Sequence, residues 1–182
     1  SDLIMQTCIG PSEEHVSMAG IPTEASILDM VERAMPGRVQ NVYAHSSGGG
    51  KFIAVIQFKK TVPSDEGRQR QAALLAFSAF PELKQVILVD EDVDIFDTND
   101  VLWAMTTRMQ ADVDIVTIPG VRCHPLDPSN DPACSWSIRD HGIACNTIYD
   151  ATIPFNQKAR FQRAKFMEVD VKKFLPDFTV QD

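Results

Sequence analysis

The sequence predicts an α/β fold: a three-layer domain with a mainly parallel sheet flanked by helices and a long irregular C-terminal segment. Apolar runs at 52–58, 85–90 and 113–118 are continuous rather than alternating, which is typical of strands covered on both faces. Helical patterns at 64–80 and 99–109 separate these runs. Successive β-α-β units imply parallel strands joined by right-handed crossovers.

The first third of the chain predicts, in order, an irregular lead-in, a helix, a strand and a loop. Glycine and proline interrupt residues 1–20, so we expect no regular structure there. Thr23 is suited to cap a helix over about 24–35, where apolar side chains recur at helical spacing. Residues 39–43 predict a strand, and the glycine-rich residues 46–50 predict a mobile loop before the next strand.

Short polar residues precede both later helices. Ser64 is suited to cap the helix over 64–80, because acidic residues follow it in the first turn. Asp97 or Thr98 is suited in the same way to cap the helix over 99–109.

The length and composition indicate one globular domain. The chain has 182 residues, of which 44% are hydrophobic and 23% are charged, enough for a sizeable core. Residues 119–157 show no periodicity, and a loop of that length in a compact domain is usually functional. We therefore expect a single α/β domain over 1–182, with an irregular lead-in over 1–20 and a C-terminal extension over 155–182.

Charge and hydropathy exclude several classes of partner. The net charge of −8 argues against a nucleic acid or an anionic membrane, since phosphate binding needs a basic surface. No apolar run approaches the roughly 20 residues that span a bilayer.

The four cysteines favour reduced thiols in a cytoplasmic protein over a disulfide scaffold or a zinc site, because no CxxC pair occurs. They are Cys8, Cys123, Cys134 and Cys145. Because the chain does not begin with Met, we expect a fragment or a processed product.

An acidic loop follows the apolar run at 86–89. It leaves the end of a predicted buried strand, where open α/β sheets usually keep their ligands. Its acidic residues, all within eight positions, are Asp90, Glu91, Asp92, Asp94 and Asp97.

The acidic loop permits three interpretations. Residues 90–94 match the start of a calcium loop, but Ile95 replaces its turn glycine and Val101 its final glutamate. A second interpretation is the short acidic motif with which nucleotide-sugar transferases hold a divalent metal on a diphosphate. We favour the third, in which Asp97 or Thr98 caps a helix and the other acids face water.

Among the four histidines, His15, His45, His124 and His141, two lie in loops suited to substrate contact. His15 lies in GPSEEHVS, and His124 lies in RCHPLDPS, just past a strand end. Lys51 follows three glycines, so a flexible loop could deliver its charge to an anionic group. The alternative for each is an ordinary solvated or hydrogen-bonded side chain. Motifs of P-loop, serine-hydrolase, zinc-peptidase and dinucleotide-binding proteins do not occur.

Three motifs together resemble the C-terminal part of the UbiD family of decarboxylases, which use prenylated FMN. They are VDEDVDIFDTNDVLWAMTTRM from Val89, LDPS from Leu126, and DAT from Asp150. Their order and spacing together are specific. The resemblance extends from about Gly10 to Pro154.

The resemblance implies that this chain is one part of a larger enzyme. UbiD-type enzymes have an N-terminal α/β segment, a flavin-binding barrel and a C-terminal α/β domain, and the chain resembles only the last. The catalytic Arg and Glu, prenylated FMN, a divalent metal and potassium are therefore expected in the missing upstream domain. We expect no catalytic, cofactor-binding or metal-binding residue in this chain and no activity from it alone. The upstream flavin-binding domain and further copies of the same protein are the expected partners.

The resemblance also implies a substrate-binding wall formed by His15, Lys51, His124 and Leu126. Histidine and lysine at these positions resemble the branch that acts on hydroxylated benzoates such as protocatechuate (3,4-dihydroxybenzoate) and gallate. Buried ring hydroxyls need partners, which two histidines and a lysine can supply. The implied function is pocket closure and oligomerisation in a non-oxidative aromatic acid decarboxylase, a carboxy-lyase. The alternatives are the metal-dependent nucleotide-sugar transferase and a non-catalytic α/β interaction domain.

Overall fold

A computed structural model of the protein describes residues 13–122, 124, 127, 129, 143–164 and 171–174, with the backbone alone at 13–15 and 171–172. The helices are α1 (Glu13–Ala34), α2 (Arg68–Ala79), α3 (Thr98–Arg108), α4 (Ala111–Asp114) and α5 (Val171–Phe174). The strands are β1 (Val39–Ala44), β2 (Ile53–Phe58), β3 (Gln85–Val89), β4 (Ile115–Arg122) and β5 (Ile143–Ala151). Short 3-10 turns cover Ser46–Gly48, Pro63–Asp65 and Phe155–Arg160.

The five strands form one mixed sheet in the order β1-β2-β3-β5-β4. The central pairs β2–β3 and β3–β5 are parallel, whereas β1 and β4 run antiparallel at the two sides. The α/β class and the parallel pairing of the runs at 52–58 and 85–90 are confirmed. The predicted parallel placement of 113–118 is wrong, because most of this run belongs to β4, which pairs antiparallel with β5, and β5 lies between β4 and β3. None of the residues of β4 is buried, and a bulge between Pro119 and Val121 suits an edge strand.

Helices cover both faces of the sheet and create two apolar cores. On one face, Ile27 and Val31 of α1 and Ala72 of α2 pack in a cluster with Leu88. On the other face, Val101 of α3 packs in a cluster that includes residues of β2 and β3. Successive side chains of a strand point to opposite faces, so β3 contributes to both cores. These packed layers form the three-layer arrangement.

Two helix starts differ from the sequence prediction. Helix α1 begins at Glu13, inside the expected irregular lead-in, and continues through Pro22. Thr23 is therefore an interior residue whose hydroxyl donates to the carbonyl of Ala19 at 2.7 Å, a common bond of helical threonine. Ser64 lies in a separate 3-10 turn, and α2 is preceded by Gly67 at φ +88°. Glycine adopts that left-handed conformation at no steric cost.

Candidate functional site

The polar residues predicted from the sequence lie at two opposite edges of the sheet. Strands β2, β3 and β5 end at one edge, which we call the carboxyl edge, and begin at the other, the amino edge. The acidic loop starts at the carboxyl edge, directly after β3. Lys51 precedes β2, and His124 follows the antiparallel strand β4, so both lie at the amino edge. The two candidate sites are therefore separate.

At the amino edge, Lys51 and His124 meet at one carboxylate. The Nζ of Lys51 lies 3.5 Å from Oε2 of Glu82, and Nε2 of His124 lies 3.0 Å from the same oxygen. His124 is buried and Lys51 is largely buried. The structure thus brings together two of the residues predicted from the sequence. It adds Glu82, whose only sequence signal is its place in a short loop before a buried strand.

Backbone hydrogen bonds fix both loops that carry this cluster. Ser46–Gly48 form a 3-10 turn capped by His45, and Lys51 donates its backbone N–H to the carbonyl of Gly48 at 3.2 Å. On the neighbouring loop, the fully buried Leu83 follows Glu82, and its N–H donates to Phe80 at 3.0 Å. The side chains of Lys51 and Glu82 therefore extend from anchored backbone.

The LDPS motif supports the position of His124. The N–H of Asp127 donates to the carbonyl of His124 at 3.0 Å, and the ring of Phe52 packs against the imidazole at 5.5 Å between centroids. The carboxylate of Asp127 pairs with the ammonium of Lys84 at 2.8 Å. It also accepts hydrogen bonds from the hydroxyl and the N–H of Ser129. These bonds lower the pKa of Asp127 although burial acts to raise it. A charged Asp127 therefore holds the turn after His124.

Burial lowers the pKa of His124, the nearby carboxylate of Glu82 opposes that effect, and the charge of Lys51 adds to it. The net direction is downward, so the imidazole is mainly neutral at pH 7. A neutral imidazole can both donate and accept a hydrogen bond. With Lys51 positive and Glu82 negative, the cluster is close to neutral overall and offers donors beside an acceptor.

A cavity of about 310 Å³ opens beside this cluster, a volume that suits a small ligand. Its walls are mostly apolar, with one cation and one carboxylate among them. The lining residues are Met18, Ala19, Pro22, Lys51, Phe80 and Glu82. The backbone of His15 lies in the first turn of α1, three residues before Met18, and thus near this edge; its side chain and Leu126 lie outside the described residues.

At the carboxyl edge, cations engage the first acids of the loop. Asp90 is 2% exposed; it accepts from the N–H of Ile153 at 2.7 Å and lies 3.3 Å from Arg108. Asp92 receives two hydrogen bonds from Arg108, at 2.8 and 2.6 Å, and one from Arg163 at 3.2 Å. The expectation that Asp90 faces water is wrong, because its carboxylate is buried and bonded to the backbone of Ile153, in the segment that follows β5.

Farther along the loop, the capping prediction is confirmed. Asp97 accepts from the N–H of Asn99 at 2.9 Å and caps α3, while Asp94 accepts from the N–H of Phe96. Within the part of the chain that the structure describes, no group of three His, Cys, Asp or Glu side chains is placed to hold a metal ion.

The pKa values of Asp90 and Asp92 are shifted in opposite directions. Burial raises the pKa of Asp90 despite its bond from Ile153. Burial also acts to raise the pKa of the more exposed Asp92, but the hydrogen bonds and charge of Arg108 and the charge of Arg163 together outweigh it and lower that pKa. A cavity of about 480 Å³ lies over this network, with Lys158 and Arg163 in its wall. Both cations are paired with carboxylates, Lys158 with Glu91 at 2.9 Å and Arg163 with Asp100 at 2.6 Å.

The DAT motif links β5 to α2. Asp150 accepts from the hydroxyl of Thr152 at 2.6 Å and from the side chains of Gln69 at 3.0 Å and Arg70 at 2.7 Å. Asp150 is buried and fully engaged, so its role is to bind these elements together.

Residues 16–151 match the family model described as the 3-octaprenyl-4-hydroxybenzoate carboxy-lyase C-terminal domain. The chain belongs to this family, the UbiD C-terminal domains. It is 61% identical to the gallate decarboxylase of Lactiplantibacillus plantarum, over 94% of this chain and 36% of that protein. The UbiD C-terminal domain thus spans about a third of the length of this relative.

Solved structures share the fold of this UbiD domain. The apo 3,4-dihydroxybenzoic acid decarboxylase of Enterobacter cloacae is 62% identical, with a TM-score of 0.84 over 92% of this chain and 34% of that chain. The UbiD-class enzyme HmfF of Pelotomaculum thermopropionicum, solved in complex with FMN, is 33% identical, with a TM-score of 0.77 over 92% of this chain and 35% of that one. Among the described helices of the UbiD domain, none is long and apolar enough to cross a membrane.

Among the described residues, the cavities at the two edges of the sheet do not suit the phosphate of a flavin. A phosphate site needs cations or backbone amides that are available to it. Lys158 and Arg163 are paired with carboxylates at the carboxyl edge, and at the amino edge the carboxylate of Glu82 beside Lys51 repels an anion. We therefore assign no contact with a flavin phosphate to these residues.

Proposed function

We propose that this UbiD C-terminal domain closes the substrate pocket of a non-oxidative aromatic acid decarboxylase, a carboxy-lyase acting on hydroxybenzoates such as protocatechuate or gallate. The observation that carries the proposal is the convergence of Lys51 and His124 on Glu82, beside a mostly apolar cavity. An apolar wall suits an aromatic ring, and the polar cluster suits ring hydroxyls. The identity of 61% to a gallate decarboxylase supports the same substrate class.

In this proposal the domain binds, orients and encloses the ring. Lys51 donates a hydrogen bond to a ring hydroxyl, and the imidazole of His124 donates or accepts a second one. The side chains of Met18 and Phe80 contact the ring and exclude water. The family resemblance adds His15 and Leu126 to this proposed wall, although the side chain of His15 and all of Leu126 lie outside the described part of the chain. An upstream domain binds prenylated FMN, with a divalent metal and potassium, and the cofactor supplies the chemistry of carboxylate loss.

We further propose that the domain carries contacts between copies of the enzyme. Several large apolar side chains of α3 and the loop before it are exposed, with Phe96 at 63% and Leu102 at 51%. Where such side chains form one contiguous patch, they commonly mark a contact with another protein surface.

The contacts of the acidic loop argue against the transferase alternative. A metal-diphosphate site needs carboxylates that are free to bind a cation. Ion pairs and a backbone hydrogen bond already engage Asp90 and Asp92.

An activity assay tests the proposal. The full-length gene product is expressed together with a prenyl-flavin synthase, and CO2 release is measured from protocatechuate, gallate and benzoate. We expect turnover of the two hydroxylated acids. A cofactor-loaded protein that releases CO2 from neither of them would overturn the proposed function.

A further inference from the structure

Glu82 has an unusual combination of contacts for a residue that lines a small cavity. Two donors, Lys51 and His124, approach its Oε2, yet the side chain remains 37% exposed. An ionised carboxylate accepts about four hydrogen bonds and donates none. Glu82 therefore keeps acceptor capacity for a ligand in the cavity that it lines.

The pair formed by Lys51 and Glu82 is loose. Their separation of 3.5 Å exceeds the ~2.7–2.9 Å of a strong charge-assisted hydrogen bond. A group that accepts from the ammonium and donates to the carboxylate would satisfy both better than they satisfy each other. A phenolic hydroxyl is such a group, whereas a phenolate would be repelled by Glu82 and a methyl ether has no proton to donate.

We infer that Glu82 determines specificity in this pocket by accepting a hydrogen bond from a ring hydroxyl, so that free hydroxyls are selected over methyl ethers. This inference rests on the proposed function and deepens it. The hydroxyl stays protonated and bridges Lys51 and Glu82. A methyl ether leaves the carboxylate desolvated against a methyl group, and an unsatisfied polar group of this kind weakens binding about 5- to 150-fold.

Three variants of the cofactor-loaded full-length protein separate this role from a merely structural one. Glu82→Leu removes the acceptor, Glu82→Gln keeps an acceptor oxygen without the charge, and Asp112→Asn removes an exposed charge on α4 as a control. Two ratios are measured for each variant. The first is kcat/KM for protocatechuate divided by kcat/KM for vanillate (4-hydroxy-3-methoxybenzoate). The second has isovanillate (3-hydroxy-4-methoxybenzoate) in place of vanillate.

We expect Glu82→Leu to lower the larger of these ratios at least about 5-fold through loss of activity on protocatechuate. We expect Glu82→Gln to lower this ratio less than Glu82→Leu does, and Asp112→Asn to leave it at the wild-type value. An unchanged ratio in Glu82→Leu, or an equal loss on all three acids, overturns the inference.

Failure of the proposed function is distinguishable from failure of this inference. If the loaded wild-type protein decarboxylates none of these acids, the proposed function fails. Equilibrium dialysis of the same acids against the same proteins then decides the role of Glu82. Tighter binding of protocatechuate than of the ethers, lost in Glu82→Leu, supports it; equal binding of all three acids by the wild-type protein overturns it.

Discussion

Gly50, in the loop that carries Lys51, packs directly against Gly20 of α1. A Cβ atom on Gly50 would lie 2.9 Å from the backbone nitrogen of Gly20 and 3.0 Å from the carbonyl oxygen of Val16. Real Cβ contacts of 2.9 Å are essentially absent, so this approach requires glycine. The contact sets the distance between α1 and Lys51, which both line the amino-edge cavity.

The first prediction is that Gly50→Ala destabilises the domain by about 2–4 kcal/mol. Alanine at φ +68° costs about 1–2 kcal/mol, and the clash with backbone adds to this cost. Urea denaturation of the 182-residue chain measures the change in the free energy of unfolding.

Gly37→Ala provides the matched control. Gly37 has a similar φ of +71°, but nothing lies within 4 Å of the position that a Cβ atom would take there. We expect only the conformational cost of about 1–2 kcal/mol from this substitution. Equal destabilisation by the two substitutions would show that the contact with Gly20 contributes nothing.

The second prediction concerns the buried guanidinium at the carboxyl edge. The side chain of Arg108 is 1% exposed and contacts both Asp90 and Asp92. Arg108→Met leaves Asp90 buried without that cation, and breaking a buried pair in this way costs about 3–5 kcal/mol. We expect about 3 kcal/mol, because the more exposed Asp92 can be rehydrated.

An exposed ion pair supplies the comparison. Arg33 and Asp29 are one helical turn apart on α1, at 2.9 Å, with side chains 78% and 60% exposed. Arg33→Met is expected to change the free energy of unfolding by less than about 0.5 kcal/mol. If thermal and urea unfolding give similar small losses for both arginine variants, the buried network does not stabilise the fold.

Strong local signals made much of the fold predictable from the sequence. Continuous apolar runs identify β2 and β3 and their parallel pairing, and an Asp before a helical pattern identifies the cap of α3. Strand order is a non-local property, and β5 alternates buried with half-buried residues amid polar sequence. Nothing local indicates that β5 inserts beside β3 and displaces β4 to the edge of the sheet.

The candidate site was predictable only in part, for a similar reason. The family resemblance indicates Lys51 and His124, and the structure brings both to Glu82. Glu82 belongs to no sequence motif, because only the folded structure brings its loop next to the loops of Lys51 and His124. The sequence also suggested that Asp90 is solvated, because it cannot reveal that the backbone of Ile153 covers the end of β3.

The third prediction concerns the pH dependence of stability through Asp127. Its pKa is depressed in the folded state, so its contribution is complete above the unfolded value of about 3.9 and is lost as pH falls through the folded value. Asp127→Asn removes the charge that receives Lys84 and Ser129. We expect a loss of about 1.5–3 kcal/mol at pH 7 that shrinks as pH falls below about 3.9 and through the lower pKa of the folded state.

Urea unfolding at a series of pH values from 7 down to about 2 measures this dependence. Asp112→Asn controls for the loss of one exposed carboxylate, and we expect little change in stability from it at any pH. A loss in Asp127→Asn that is constant across the series would contradict a charged role for Asp127.

The last prediction tests the amino-edge site through its cation. In the cofactor-loaded full-length protein, Lys51→Met removes the donor to a ring hydroxyl while keeping most of the apolar length of the side chain. Leaving that hydroxyl unsatisfied costs ~1–3 kcal/mol, so kcat/KM for protocatechuate is expected to fall about 5- to 150-fold. Benzoates without ring hydroxyls lose much less, because they never used this contact. Lys59→Met, at an exposed position after β2 on the opposite edge, leaves both kinds of substrate unaffected. Equal losses on hydroxylated and unhydroxylated acids in Lys51→Met, or unchanged kinetics on protocatechuate, would remove Lys51 from the substrate site.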